Sequence, residues 1–166
     1  TVDETNDEIH YGKFTLSGDG DYVVTMRYHD QSGNVMVDDD ENEVELYTSE
    51  VITIDTTEPE IEFEYVHDGD IQKTIFTVEE HNFSADHVVV ANSSTMQDVN
   101  GNPIAFTAEQ LTAILQRATW TQNGDTYTFE YDQYVNGIYN LKLDYTDYAG
   151  WVAEPFTGDE FIIDHD

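Results

Sequence analysis

The sequence predicts an all-β fold, interrupted by one short inserted helix, in which a complete β-sandwich follows a second, partial copy. Three observations lead to this prediction. Apolar and polar residues alternate along several short segments, as they do in strands with one buried face. Clusters of Gly, Asn and Asp separate these segments, as turns do. A block of residues near the N-terminus recurs near the C-terminus.

The repeat rests on five residues that recur with the same spacing. They are Gly20, Tyr22, Tyr28, Asp30 and Gly33 in the first copy, and Gly137, Tyr139, Tyr145, Asp147 and Gly150 in the second. The residues between the tyrosines alternate alike, with Val24 and Met26 in one copy and Leu141 and Leu143 in the other. Each copy is therefore predicted to contain a strand with one buried face.

The second copy contains six predicted strands and one predicted helix. The strands are at residues 60–66, 74–78, 87–91, 126–131, 139–145 and 160–164. Thr107 and Gln110 have the spacing of a capping box, which starts a helix. Leu111, Ile114 and Leu115 then form its apolar stripe.

A domain boundary is predicted where the first copy ends. Pro59 favours extended backbone before it, so residues 56–59 are interpreted as a linker. Residues 56–166 have the length of a complete sandwich, whereas residues 1–55 have room for only the closing strands of one. We expect the leading strands of that first domain to precede Thr1. The alternative is that the N-terminal strands pack onto the second domain as one sandwich.

The repeated block resembles the closing half of a bacterial immunoglobulin-like domain. Gly20-x-Tyr22 and Gly137-x-Tyr139 resemble the tyrosine corner, in which the hydroxyl bonds to backbone a few residues upstream. Val24 and Leu141 stand where antibody domains have cysteine, and the chain has none. The segment 54–59 resembles the Asp-Thr-Thr-x-Pro junction between tandem copies in surface proteins.

The resemblance implies an immunoglobulin-like β-sandwich of the Big type, preceded by the C-terminal part of another. It implies a tandem-repeat protein that is secreted or associated with a cell wall, with a Gram-positive source favoured. Neighbouring immunoglobulin-like domains of the same chain are the implied partners, and a glycan or a host surface protein is a further candidate.

Composition excludes several classes of partner. The chain has 166 residues, with 36 acids against 5 bases and a formal net charge of -31. Five bases cannot build the Lys/Arg surface that phosphates require, so we expect no nucleic acid partner. The same charge opposes anionic membranes, and no apolar run is long enough to span a bilayer. We therefore expect no membrane insertion.

Calcium is the candidate cofactor, because it binds carboxylate oxygens and tandem domains gain rigidity from an ion at their joint. Asp55 and Glu58 flank the predicted linker, and the repeated turns contribute Asp30 and Asp147 as further candidate ligands. The alternative for the turn residues is that each aspartate bonds the backbone of its own turn. The acidic segment 38–45 lacks the glycine of an EF-hand and is interpreted as a solvated loop.

The other candidate sites are aromatic or histidine-containing. Trp120, Tyr148 and Trp151 fall outside the alternating pattern and are candidates for stacking on sugar rings, with packing as the alternative. His81 and His87 lie near acids, but their spacing fits no common metal-ligand pair, so surface positions are favoured.

We expect no catalysis, because the sequence contains no nucleophile elbow, no phosphate loop and no cysteine nucleophile. The predicted function is a non-catalytic spacer that positions a functional head. The alternatives are an adhesin or carbohydrate-binding module, and an accessory domain of a carbohydrate-degrading enzyme.

Overall fold

The structure, a computed structural model, describes residues 12–44 and 46–165. The chain divides into two compact units, Thr1–Thr56 and Thr57–Asp166. In each unit the described secondary structure is mainly strand, and one α-helix lies in the second unit. The all-β prediction with one inserted helix is confirmed at this level.

The first unit is built from short antiparallel strand pairs. Their members are β1 (Gly20–Tyr22) with β6 (Ile52–Ile54), β2 (Thr25–Met26) with β5 (Tyr47–Thr48), and β3 (Met36–Val37) with β4 (Glu43–Val44). Tyr22 and Val24 are half-buried, as the alternating pattern predicts, but Met26 and Tyr28 are exposed. The prediction of one continuous buried face is therefore wrong for this copy, because none of the described side chains of the unit is fully buried.

Over its described residues, 57–165, the second unit contains ten strands, one α-helix and a single 3₁₀ turn at Ala85–His87. In chain order they are β7 (Glu60–Asp68), β8 (Ile71–Glu79), β9 (Val88–Val90), β10 (Thr95–Gln97), α1 (Ala108–Arg117), β11 (Thr121–Asn123), β12 (Thr126–Tyr131), β13 (Gly137–Asn140), β14 (Lys142–Tyr145), β15 (Phe156–Thr157) and β16 (Phe161–Ile163).

These strands form three antiparallel sheets, with strand orders β11-β12-β8-β7, β10-β13-β16 and β15-β14-β9. The longest pairing joins β7 to β8 through the turn at Gly69, whose φ of 60° suits glycine. All three sheets contribute side chains to one apolar core. That core holds Phe76 and Val78 of β8, and Leu143 and Tyr145 of β14.

One predicted strand is divided between two sheets. Residues 139–145 belong to β13, which pairs with β10 and β16, and to β14, which pairs with β9 and β15. Leu141 lies at the change of partners and is fully buried. Buried and less buried residues alternate through this point without interruption, so the pattern predicts the buried face but not the change.

The helix α1 begins where the capping box predicts. Thr107 and Gln110 exchange the reciprocal hydrogen bonds of that motif. Leu111 and Leu115 are fully buried, and the Thr112 hydroxyl accepts a hydrogen bond of 2.9 Å from the Val90 backbone N–H. The helix thereby packs against β9. Among the described residues, no helix has the length and apolar character needed to cross a membrane.

Candidate functional site

The same turn, which runs from an aspartate to the residue four positions later, occurs at four places in the described chain. An aspartate donates its backbone N–H to the carbonyl four positions later, and its own carbonyl accepts from the residue three positions later. The aspartates are Asp30, Asp38, Asp98 and Asp147, and the residues four positions later are Asn34, Asn42, Asn102 and Trp151. The repeat found in the sequence therefore includes this turn, and two further copies lie outside the repeat.

In three of the turns, both carboxylate oxygens of the aspartate accept hydrogen bonds from residues of the same turn. The Oδ1 atom of Asp98 accepts from the backbone N–H groups of Asn100 and Asn102, at 2.8 and 2.9 Å. Its Oδ2 atom accepts from the Asn102 side chain at 3.0 Å. Asp30 accepts in the same way from Ser32 and Asn34, and Asp38 from Asp40 and Asn42.

These hydrogen bonds lower the pKa of all three aspartates below the ordinary value, because they favour the charged carboxylate. The Asn34 side chain is the main cause for Asp30, and the Asn102 side chain for Asp98. For Asp38 the main cause is the Asn42 backbone N–H. Asp30 and Asp38 are exposed, and Asp98 is half-buried. The Asp30 carboxylate thus bonds the backbone of its own turn, which is the alternative to metal binding given by the sequence analysis.

The fourth turn differs because Trp151 replaces the asparagine. The Asp147 Oδ1 atom accepts from the Trp151 backbone N–H at 2.8 Å, so the backbone part of the turn is preserved. The Trp151 side chain does not donate to Oδ2 as the asparagine amides do. Among the described residues, Asp147 Oδ2 is buried and has no hydrogen-bond partner. Asp147 as a whole is only 3% exposed.

A second buried acid, Glu80, lies beside Asp147. Glu80 is 5% exposed, and one of its carboxylate oxygens is within 4.8 Å of a carboxylate oxygen of Asp147. Its Oε1 atom accepts from the Asn82 backbone N–H at 2.8 Å, and its backbone N–H donates to the Asp125 carbonyl at the same distance. Glu80 is therefore held in place by the loops on both sides of the strand end.

The two acids meet because each extends the inward face of its strand by one step. Along β8, residues Thr74, Phe76 and Val78 are fully buried, and Glu80 continues the same alternation. In β14, Leu143 and Tyr145 are buried, and Asp147 continues that alternation. The core therefore ends, on this side, in a pair of carboxylates.

The pKa of Tyr145 is affected by the negative charges at this end of the core. Its hydroxyl accepts a hydrogen bond of 3.1 Å from the Ser84 backbone N–H, and its ring is buried. Burial raises the pKa of Tyr145 to about 12, and the charges of Glu80 and Asp147 act in the same direction.

Two further predicted metal ligands, Asp55 and Glu58, are less buried than Asp147. Asp55 follows β6 in the first unit and is half-buried. Glu58 is exposed and lines a groove of about 380 Å³ with Pro59, Glu154 and Phe156. Both residues stay predictions as ligands. In the acidic segment 38–45, Asp38 forms the turn described above, and Glu45 lies outside the described residues.

The two histidines have separate partners. His81 Nδ1 lies 3.2 Å from Asp125 Oδ1, and His87 Nδ1 lies 2.6 Å from the Thr146 carbonyl oxygen. His81 is exposed, as predicted, whereas His87 is half-buried.

The three aromatic candidates divide into one packing residue and two exposed ones. Trp120 contacts Phe83 and Phe129, and its indole N–H donates to the Leu115 carbonyl at 2.9 Å. Tyr148 is 70% exposed and lies against the His87 ring, whereas Trp151 is 41% exposed. Tyr148 and Trp151 belong to the same turn, the one that Asp147 begins.

Glu80 is the residue that the sequence analysis missed. It is one of 36 acids, and it lies two residues beyond the end of the predicted strand at residues 74–78. The signal that identifies it is its position in the alternation: counted from Phe76 and Val78, it is the next residue to face inward.

Comparisons with known proteins give no relative. A scan against protein-family models, a search of curated proteins and a search of solved structures each found no match to this chain.

Proposed function

We propose that this chain is a non-catalytic structural module, made of immunoglobulin-like units, that acts as a spacer in a bacterial cell-surface or secreted multidomain protein. In that role it positions a functional head. Its partners are then the neighbouring immunoglobulin-like units of the same polypeptide.

The observation that supports the proposal is that both units contain the same pair of antiparallel strands, the second of which lies near the C-terminal end of its unit. Gly20 pairs with Ile54 in the first unit, and Gly137 pairs with Ile163 in the second, in the same antiparallel register. Tandem repetition of one structural unit is typical of proteins that span a distance.

The tyrosine hydroxyl bonds support the immunoglobulin-like assignment. Tyr139 donates to the Val135 carbonyl at 2.7 Å, and Tyr22 donates to the Gly18 carbonyl at 2.8 Å. Both bonds run from the strand to backbone four residues upstream, as the tyrosine corner requires. In the second unit, antiparallel sheets with one shared core are what a sandwich of this class needs.

Force spectroscopy tests the spacer proposal. The full chain is joined between marker domains of known unfolding force and is stretched from its ends. We expect a discrete event for the unit Thr57–Asp166, with a length gain of about 3.3–3.6 Å for each residue released. If the chain extends without a discrete event at forces that the markers withstand, it has no mechanical role of this kind.

A glycan-binding module is the second candidate, because Tyr148 and Trp151 present aromatic rings from a single turn. A glycan array probed with the full chain tests it. Binding that is lost in Tyr148→Ala and kept in the exposed control Tyr47→Ala would favour this candidate over the spacer. An array without signal would argue against it.

A further inference from the structure

We propose that Glu80 and Asp147 bind a divalent cation, with Ca²⁺ as the ion that their chemistry fits. The inference does not depend on the spacer function, since it concerns two residues of the second unit. It goes beyond the calcium prediction from the sequence, because Glu80 was not among the predicted ligands.

The first argument is the contrast among the four aspartate turns. The chain places an asparagine where it completes the hydrogen bonding of Asp30, Asp38 and Asp98. Where the aspartate of the turn is buried, the residue four positions later is Trp151 instead, and Asp147 Oδ2 lacks a hydrogen-bond partner among the described residues. A buried carboxylate oxygen without a donor costs free energy, so it requires a ligand that is not part of this loop.

The second argument is the neighbour of that oxygen. The nearby group is another buried carboxylate, Glu80, and two like charges at this separation repel each other. Within the described chain, no Lys, Arg or His side chain forms an ion pair with Asp147. A divalent cation neutralises both carboxylates at once.

The third argument is geometric and chemical. Two oxygens bound to one calcium at about 2.3–2.6 Å cannot be more than about 5 Å apart, and those of Glu80 and Asp147 are within 4.8 Å. Both are hard oxygen ligands, which suit Ca²⁺ better than a transition metal. The irregular coordination of calcium also tolerates a site completed by water or backbone oxygens.

The test uses the full chain, freed of metal with EDTA and then titrated with CaCl₂. Binding is measured by calorimetry, and thermal melting is followed with MgCl₂ at matched ionic strength as the ion control. We expect binding with a Kd of about 10⁻⁴–10⁻³ M, the range of extracellular calcium modules. We also expect a rise in Tm that Mg²⁺ does not reproduce.

The variants Glu80→Gln and Asp147→Asn remove one charge each and keep an oxygen that accepts the local backbone N–H. Each is expected to raise Kd at least tenfold. The matched control is Asp98→Asn, which removes a charge from another turn of the same kind and is expected to bind like the wild type. Circular dichroism in EDTA establishes that each variant is folded.

A further variant, Trp151→Asn, restores the asparagine found in the other turns without removing any carboxylate. Its amide is expected to occupy Asp147 Oδ2 and weaken calcium binding. Unchanged affinity in this folded variant would show that Oδ2 is not a ligand and would overturn the assignment.

Two other results would also overturn the proposal. One is a wild type that shows no calcium-specific response in calorimetry or in thermal melting. The other is calcium binding that survives in both variants, which places the ion elsewhere.

Discussion

An aspartate that closes its own turn has two carboxylate oxygens, and the residue four positions later decides what happens to the second. Asparagine donates to it, as Asn102 does for Asp98, and both carboxylate oxygens then accept hydrogen bonds within the turn. Trp151 does not donate there, and the second oxygen of Asp147 is buried without a hydrogen-bond partner among the described residues. A single side chain thus separates a turn that is only structural from one that is available to a ligand.

The pKa of Asp98 tests this account of the turns. Replacing Asn102 by alanine removes the main cause of the lowered pKa and keeps the backbone N–H, so we expect a partial rise toward the ordinary value. A carboxyl titration by NMR measures it, and Asn42→Ala is the control that should leave Asp98 unchanged.

The sign for stability follows from the direction of the shift. Because the folded pKa of Asp98 is depressed, its contribution is present above the ordinary pKa and is lost as the pH falls through the folded value. Asn102→Ala should therefore weaken the dependence of stability on acid pH. An Asp98 pKa that does not move in this variant would contradict the hydrogen-bonding explanation.

Of the two residues of the site, only Asp147 could be predicted from the sequence. Asp147 was found because the repeat draws attention to it, whereas Glu80 belongs to no motif. Residue type says little about an acid in so acidic a chain. Its burial follows from the strand alternation together with the position of the opposing strand end, and that second fact is a property of the tertiary fold.

At the scale of elements, the sequence predicts those strands whose alternating pattern and flanking turn residues are both clear. The strand β12 (Thr126–Tyr131) has the predicted bounds, because its alternation is flanked by clear turn residues. The strands β10, β11 and β15 were missed, since two or three residues are too few for a periodic pattern. The division of residues 139–145 was missed because a pattern describes faces and not pairing partners.

The helix start gives the prediction at this scale. Thr107→Ala removes the side chain that accepts from Gln110 in the capping box, and we expect unfolding to become easier by about 1 kcal/mol. Urea denaturation followed by tryptophan fluorescence measures this in the second unit, where both tryptophans lie.

The matched control for the helix is Thr119→Ala, an exposed threonine just beyond α1. It is expected to change stability by less than about 0.5 kcal/mol. Equal effects of the two variants would mean that the cap is not what fixes the helix start.

At the scale of the whole molecule, charge is the dominant property. A net charge of -31 on 166 residues opposes compactness through self-repulsion, and it also keeps the chain in solution. The few bases cannot neutralise most of the acids. Lys73 pairs with Glu130 at 2.6 Å, but 5 bases are too few to pair with 36 acids. Mobile cations from the solution must therefore supply most of the screening.

Salt should accordingly stabilise this protein. Raising NaCl from about 0.01 M to about 0.15 M shortens the Debye length from about 30 Å to about 8 Å, which screens most repulsion between surface carboxylates. We expect Tm, measured in EDTA, to rise over this range, and KCl to give the same rise because screening does not depend on the identity of the ion. Asp147→Asn should show the same salt dependence as the wild type, since one charge in so many changes the general repulsion little. A Tm that is flat or falls with salt would show that repulsion does not limit stability, and a rise confined to wild type would assign the effect to the carboxylate pair instead.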